Sequence, residues 1–344
     1  MASISLDTGS DQDDSGGELH KFIFQGLPVR GMLVRLTGAW RQMLAARRAS
    51  GDFPAPVRQL LGEMSAAAML MQANIKFNGA LILQMQGDGP VKLAVAEVQT
   101  DLRLRATAQV EGAVDAQADL HALLNVHGQG RCAITLDPRD RKPGQQPYQG
   151  VVPLARHDGA GQLQPIGRLS DVIEHYMRQS EQLQTRLVLA CNDELAAGLL
   201  IQRLPTEGGV LAAARGTARE ALETSADEDF NRIAMLAATL RPEELLGLDA
   251  ETVLRRLFWE QDVRRFEPLT GELGPRFACT CSRSRVGRML ISLGRAEADS
   301  VIAERGCIEV SCEFCGARHE FDAIDVTELF LPGSTLGDPP HTMQ

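Results

Sequence analysis

The chain has 344 residues, 44% of them apolar, and a formal net charge of -10. That length exceeds one average core, so two or three globular domains are expected. The acidic balance excludes a general nucleic-acid surface, which needs clustered Lys and Arg, and no apolar run approaches the ~20 residues that span a bilayer. Five of the seven cysteines fall between 279 and 315, a usage that fits the reduced thiols of a cytoplasmic protein.

Residues 1–17 carry Asp7, Asp11, Asp13 and Asp14 without Lys or Arg and read as a disordered tail, not as a secretory signal. From 19 to 36, Phe22, Phe24, Met32, Val34 and Leu36 alternate as short strands broken by Gly26 and Pro28. Thr37 then precedes a helix bearing Trp40, Met43 and Leu44, and Pro54 opens a longer one with Val57, Leu60, Leu61 and Met64 at helical spacing. Leu81, Leu83 and Met85 alternate up to Gln86-Gly87-Asp88-Gly89-Pro90 and a second run begins at Val91, the pattern of a hairpin. Further strands are expected at 131–136, 148–155, 186–191 and 197–204, with an amphipathic helix through Leu169, Val172, Ile173, Tyr176 and Met177. Residues 137–147 and 157–166 read as surface loops. The fold class is therefore α+β: a sheet-plus-helix core domain at 18–205, a helical linker at 206–275, a small C-terminal zinc-binding domain at 276–331 and a disordered tail at 332–344.

The linker is acidic, with eleven Asp or Glu against five Arg between Arg219 and Asp262. Its helices each have one apolar face, through Phe230, Ile233, Ala237 and Leu240, and through Val253, Leu254, Leu257 and Phe258 behind an Asp249 cap. Helices this short depend on docking against something else.

Chemistry concentrates in Cys279-Thr280-Cys281 and Cys312-Glu313-Phe314-Cys315. Two tight thiol pairs in a segment too small for an ample apolar core read as one tetrahedral zinc site, one ion per chain, held by Cys279, Cys281, Cys312 and Cys315. Helices ended by Gly294 and Gly306 fold the chain back between the pairs, and Gly316 admits the backbone turn of a metal knuckle. Cys307 lies five residues before Cys312 in a β-like run, about 16 Å away and on the opposite face, which keeps it from their metal. His319 is an alternative ligand if its segment is a loop instead of a strand. Cys132 and Cys191 read as core residues, and the other histidines lack partners at ligand spacing.

These motifs resemble the bacterial redox-regulated heat-shock chaperones, the 33 kDa chaperonin family. The resemblance rests on Cys279-Thr280-Cys281-Ser282 and Cys312-Glu313-Phe314-Cys315-Gly316, with Val29-Arg30-Gly31, Gln86 to Pro90, Tyr148-Gln149-Gly150-Val151-Val152, Ser180-Glu181-Gln182 and Thr185-Arg186, over about residues 18–331. It implies a non-enzymatic, ATP-independent holdase whose reduced zinc form is inactive. On oxidation, the resemblance implies, Cys279 pairs with Cys281 and Cys312 with Cys315, zinc leaves, the linker unfolds, and the protein, commonly a homodimer, holds unfolding clients. Departures are Cys307, the 1–17 extension, the longer 156–166 loop and Gln184 where proline is usual.

Physical chemistry supports the same switch. Arg283, Arg285, Arg288 and Arg318 are placed to favour thiolates, and loss of a structural metal should unfold so small a module. The freed linker would offer Phe230, Ile233, Leu240, Val253, Leu257 and Phe258 to client proteins. Two rival readings are weaker. A thiol oxidoreductase lacks its βαβ context around Cys312-x-x-Cys315, and a nucleic-acid zinc ribbon lacks a basic stripe, with seven Arg against nine Asp or Glu in the module.

Overall fold

The computed structural model describes residues 16–48, 50–140, 144–157, 161–205 and 217–331. The expected tails therefore lie outside the described residues, apart from Gly16 and Gly17, as does the start of the expected linker. In chain order the strands and helices begin with β1 (Glu18–Phe24), β2 (Val29–Leu36), α1 (Gly38–Arg48) and α2 (Ala55–Asn74). They continue with β3 (Gly79–Gln86), β4 (Val91–Gln99), β5 (Arg103–Val110), α3 (Leu120–Leu124) and β6 (Arg131–Pro138). Next come β7 (Tyr148–Pro153), β8 (Ala155–His157), β9 (Leu163–Pro165), α4 (Leu169–Ser180), β10 (Thr185–Cys191) and β11 (Ala196–Arg203). After the undescribed stretch follow α5 (Thr217–Ala238), α6 (Pro242–Gly247), α7 (Ala250–Phe258), β12 (Val263–Arg265) and β13 (Arg276–Phe277). The last group is α8 (Arg283–Leu293), α9 (Arg295–Arg305), β14 (Ile308–Ser311), β15 (Arg318–Phe321) and α10 (Ala323–Leu329). The segment expected as a loop over 157–166 thus contributes β9, which pairs antiparallel with β8. The chain divides into two compact units, residues 1–43 with 53–277, and residues 44–52 with 278–344.

The larger unit contains two sheets, ordered β10-β11-β2-β1-β12 and β13-β5-β4-β3-β6-β7. Helix α2 packs against strands of both. It is buried nearly all round, and its run of Gly62, Ser65, Ala66, Ala67 and Ala68 lets backbones approach closely. A Cβ on Gly62 would sit 2.0 Å from the Cys191 sulfur, so only glycine fits there.

The first sheet is covered on both faces. Gly198 meets Leu70 and Ala66 of α2, whereas Val29, Leu33, Leu199 and Ile201 join a cluster with Phe230, Ile233, Val253, Leu257 and Phe258. This explains why β11 is apolar at nearly every position instead of alternating. Phe258 lies with its ring centroid 5.0 Å from that of Phe24 and 6.1 Å from that of Phe22, a geometry aromatic quadrupoles favour. The segment after α7 is joined to both sheets, since β12 pairs antiparallel with β1, Leu19 and Leu269 exchange hydrogen bonds, and β13 lies parallel to β5.

One carboxyl in this unit titrates well above the usual carboxylate range. Glu63, on α2, accepts a hydrogen bond from Gln59 at 3.1 Å, but burial pushes its carboxyl up to about 7. A raised acid pKa favours the folded state below the unfolded value near 4.5, and that advantage is lost as pH rises through 7. Glu63→Gln is expected to stabilise the protein by roughly 1 to 3 kcal/mol at pH 8 and to change little at pH 4.5, measured by urea unfolding. Equal effects at both pH values would refute the assignment.

Candidate metal centre

The smaller unit is built on a small apolar core of Leu290, Ala298, Ile308, Phe321, Val326 and Leu329, with half-buried Val286, Val301, Ile302, Val310 and Phe330 around it. Helix α8 starts at Ser282, whose hydroxyl accepts from the Arg285 amide, and ends at Gly294 with φ +97°. Helix α9 ends at Gly306 in the left-handed conformation. Both glycines stop their helices where the sequence predicts, and the two helices bring the second thiol pair back toward the first.

Cys279 and Cys281 thus sit just before α8, and Cys312 and Cys315 lie in the turn between β14 and β15. That turn is closed by the Cys312 amide on the Ala317 carbonyl at 2.9 Å and the Gly316 amide on the Cys312 carbonyl at 2.8 Å, with Gly316 at φ +68°. All four thiols are free, and their sulfurs lie within 4.8 Å of one another. The sulfur separations are 3.6 Å for Cys279 to Cys312 and 3.4 Å for Cys281 to Cys315, where four thiolates around one ion at about 2.3 Å would stand about 3.8 Å apart. The donor set fits: these four residues can hold a metal ion.

Electrostatics agree with that fit. The Cys312 thiol is driven far below its ordinary value by hydrogen bonds from Cys279 and Cys315, helped by the Cys315 and Phe314 amides. Cys315 and Cys281 move the other way. Cys315 is raised by Cys279 and Cys312, and Cys281 is pushed up to about 12 by burial and by the Cys279 and Cys312 thiols. Thiols this close oppose one another's ionisation, a penalty that a bound cation removes.

The expected arginine assistance takes another form. Arg283 donates to the Glu320 carbonyl, pairs with Asp325 at 2.6 Å and stacks over Phe321 at 4.3 Å. It clamps the first turn of α8, two residues beyond Cys281, to β15 and α10. Arg285 donates to the Thr280 hydroxyl at 2.9 Å, and Arg318 pairs with Glu309 at 3.5 Å. Cys307 is exposed and stands outside the cluster. His319 lies in β15 opposite Val310, and the strand keeps it out of the group of four. Helix α10, with its Asp322 capping box, had no strong apolar periodicity to announce it.

The residues expected to bind clients occupy the other unit, where Phe230, Ile233, Leu240, Val253, Leu257 and Phe258 are all buried, each no more than 7% exposed. Cys132 and Cys191 also belong to that unit, where burial pushes the Cys132 thiol up to about 12.

Comparison with known proteins agrees with this architecture. A curated 33 kDa chaperonin of Chromobacterium violaceum is 46% identical over 313 residues, covering 91% of this chain and 93% of its own. Another, from Methylobacillus flagellatus, is 42% identical over 325 residues, covering 92% and 97%. The crystal structure of a 33 kDa chaperonin from Thermotoga maritima has the same fold, with a TM-score of 0.68 at 19% identity over 92% of this chain and 97% of that one.

In the native protein at pH 8, iodoacetamide is expected to modify Cys307 promptly and to leave Cys132 unmodified, because Cys132 is buried and its thiol neutral. With a metal bound at the cluster, chelation should add the four clustered thiols to the modified set, read by peptide mass spectrometry. Prompt labelling of Cys132 would contradict the structure. The model of the Hsp33 protein family matches residues 17–322, and with these relatives it establishes that the chain belongs to the Hsp33 family.

Proposed function

We propose that this chain is a redox-regulated, ATP-independent holdase chaperone, non-enzymatic and working in the reducing cytoplasm, that protects unfolding proteins after its four clustered cysteines are oxidised. The observation that carries the reading is the convergence of four free, half-buried thiols within 4.8 Å in a module with a small apolar core. Family membership supports the chaperone role. Zn²⁺ suits the four sulfurs, and when bound, one per chain, it lets all four ionise together and cross-links the two motifs.

Cys279, Cys281, Cys312 and Cys315 are then the sensor. A thiolate attacks peroxide, giving a sulfenic acid and hydroxide, and the neighbouring thiol of its motif displaces water to form a disulfide. Pairing Cys279 with Cys281 and Cys312 with Cys315 leaves no thiolate to hold a cation. Such a site contributes on the order of 10 to 16 kcal/mol in small zinc domains, against about 5 to 15 for a whole domain's stability. The remaining core of Leu290, Ile308, Phe321 and their neighbours does not replace it, so the module unfolds.

In the reduced form the candidate client-binding side chains are covered, because α5 to α7 lie with Phe230, Ile233, Leu240, Val253, Leu257 and Phe258 in the cluster against the first sheet. Activation on this reading requires those helices to leave the sheet, exposing an apolar surface to clients. The acidic excess between Arg219 and Asp262 keeps the opened form soluble, and a homodimer would present two such surfaces.

Light scattering of a heat-denaturing client tests the gating. The oxidised protein is expected to suppress aggregation and the reduced, zinc-loaded protein to fail, with zinc released on oxidation. Equal suppression by both forms, or zinc retained at one per chain after full oxidation of the four thiols, would overturn the proposal.

A further inference from the structure

Beside α4 in the larger unit lies a cavity of about 690 Å³ whose lining has a charge opposite to that of the chain. Four arginines, Arg156, Arg168, Arg178 and Arg186, face it against two carboxylates, Asp171 and Glu174. Both carboxylates are already engaged. Arg168 grips Asp171 with two hydrogen bonds, at 3.1 and 3.0 Å. Glu174 pairs with Arg186 at 3.3 Å and also accepts from the Leu187 amide at 2.8 Å.

That leaves donors without acceptors. Among the described residues, Arg156 and Arg178 have no hydrogen bond or ion pair, and the buried Nε of Arg186 has no acceptor. His175 stands one helical turn before Arg178, and after burial it is the Arg178 and Arg156 charges that hold its imidazole below the usual range. Cations from three separate elements, β8, α4 and β10, thus line one cavity, and the exposed guanidinium groups of Arg156 and Arg178 are available to an anion.

Planar guanidinium forks match the paired oxygens of a phosphate. The cavity exceeds one phosphate group, and no Phe, Tyr or Trp lines it to stack a base. We propose that this cavity binds an inorganic oligophosphate, of the pyrophosphate or triphosphate class, through Arg156, Arg178 and the Arg186 Nε, with His175 as a further donor. The site is local, so it coexists with a chain too acidic to bind nucleic-acid backbones, and it stands independently of the redox reading.

Sodium triphosphate titrated calorimetrically into the full-length, zinc-loaded, reduced protein tests it. Saturable one-to-one binding is expected, weakened about tenfold or more in R156A/R178A and unchanged within about twofold in R41A, whose arginine pairs with Glu194 elsewhere. Nuclear magnetic resonance of the unsubstituted protein gives a second readout, in which the His175 ring signals should move on titration. No binding at millimolar triphosphate, unmoved His175 signals, equal affinity in R156A/R178A, or equally tight binding of a triglutamate peptide would each overturn the proposal.

Discussion

Everything distinctive in this chain depends on four sulfur atoms held within 4.8 Å of one another. Thiols packed that closely oppose one another's ionisation, so without a cation the cluster is electrostatically unfavourable, and with one it becomes the strongest cross-link in its module. The surrounding chain is arranged to keep that proximity. Ser282 starts α8 at once after Cys281, two glycines end α8 and α9, and Gly316 turns the knuckle through a conformation that other residues resist. Arg283 ties the first motif to Phe321 and Asp325, so the cluster and the small apolar core share a residue.

On the proposed reading, the sulfur atoms that hold the module together are also the ones that oxidation takes away as ligands. A module stabilised by a large apolar core would ignore peroxide, whereas one stabilised by thiolates loses its fold through the chemistry that peroxide performs. Buried Cys132 is the contrast within the same chain, shielded by packing and kept as a neutral thiol. In the larger unit the first sheet is covered by α2 on one face and by α5 to α7 on the other. Those helices are held by side-chain packing and by a few side-chain contacts, Arg35 on the Leu245 and Leu248 carbonyls and Arg203 on Asp227, whereas the strands beneath them share continuous hydrogen-bond ladders, so the helices are the cheaper layer to displace.

Much of the fold was legible in the sequence. Alternation announced β1 to β4, Pro54 marked the start of α2, Asp249 capped α7 as expected, and the thiol spacing brought Cys279, Cys281, Cys312 and Cys315 together. What escaped has physical reasons. The three-residue strands β8, β9 and β12 and the two-residue β13 are too short for any period to register. The helices beyond Thr217 read as weakly held because each has one apolar face, but nothing local says that the opposing face is the β1–β2–β11 sheet. The arginines near the cysteines read as thiolate partners, and only tertiary structure assigns Arg283 to Asp325 and Arg318 to Glu309. The cationic cavity by α4 was hidden for the same reason, because Arg156, Arg178 and Arg186 are scattered in a chain of net negative charge.

On the proposed reading, oxidation at the cysteine cluster uncovers the apolar faces of α5 and α7. Amide hydrogen exchange of residues 230–258, followed in the reduced zinc-loaded and the fully oxidised protein, tests it most directly. Strong protection is expected in the reduced form and its loss on oxidation, with β2 and β11 remaining protected. Unchanged protection of these helices in an oxidised protein that holds clients would contradict it.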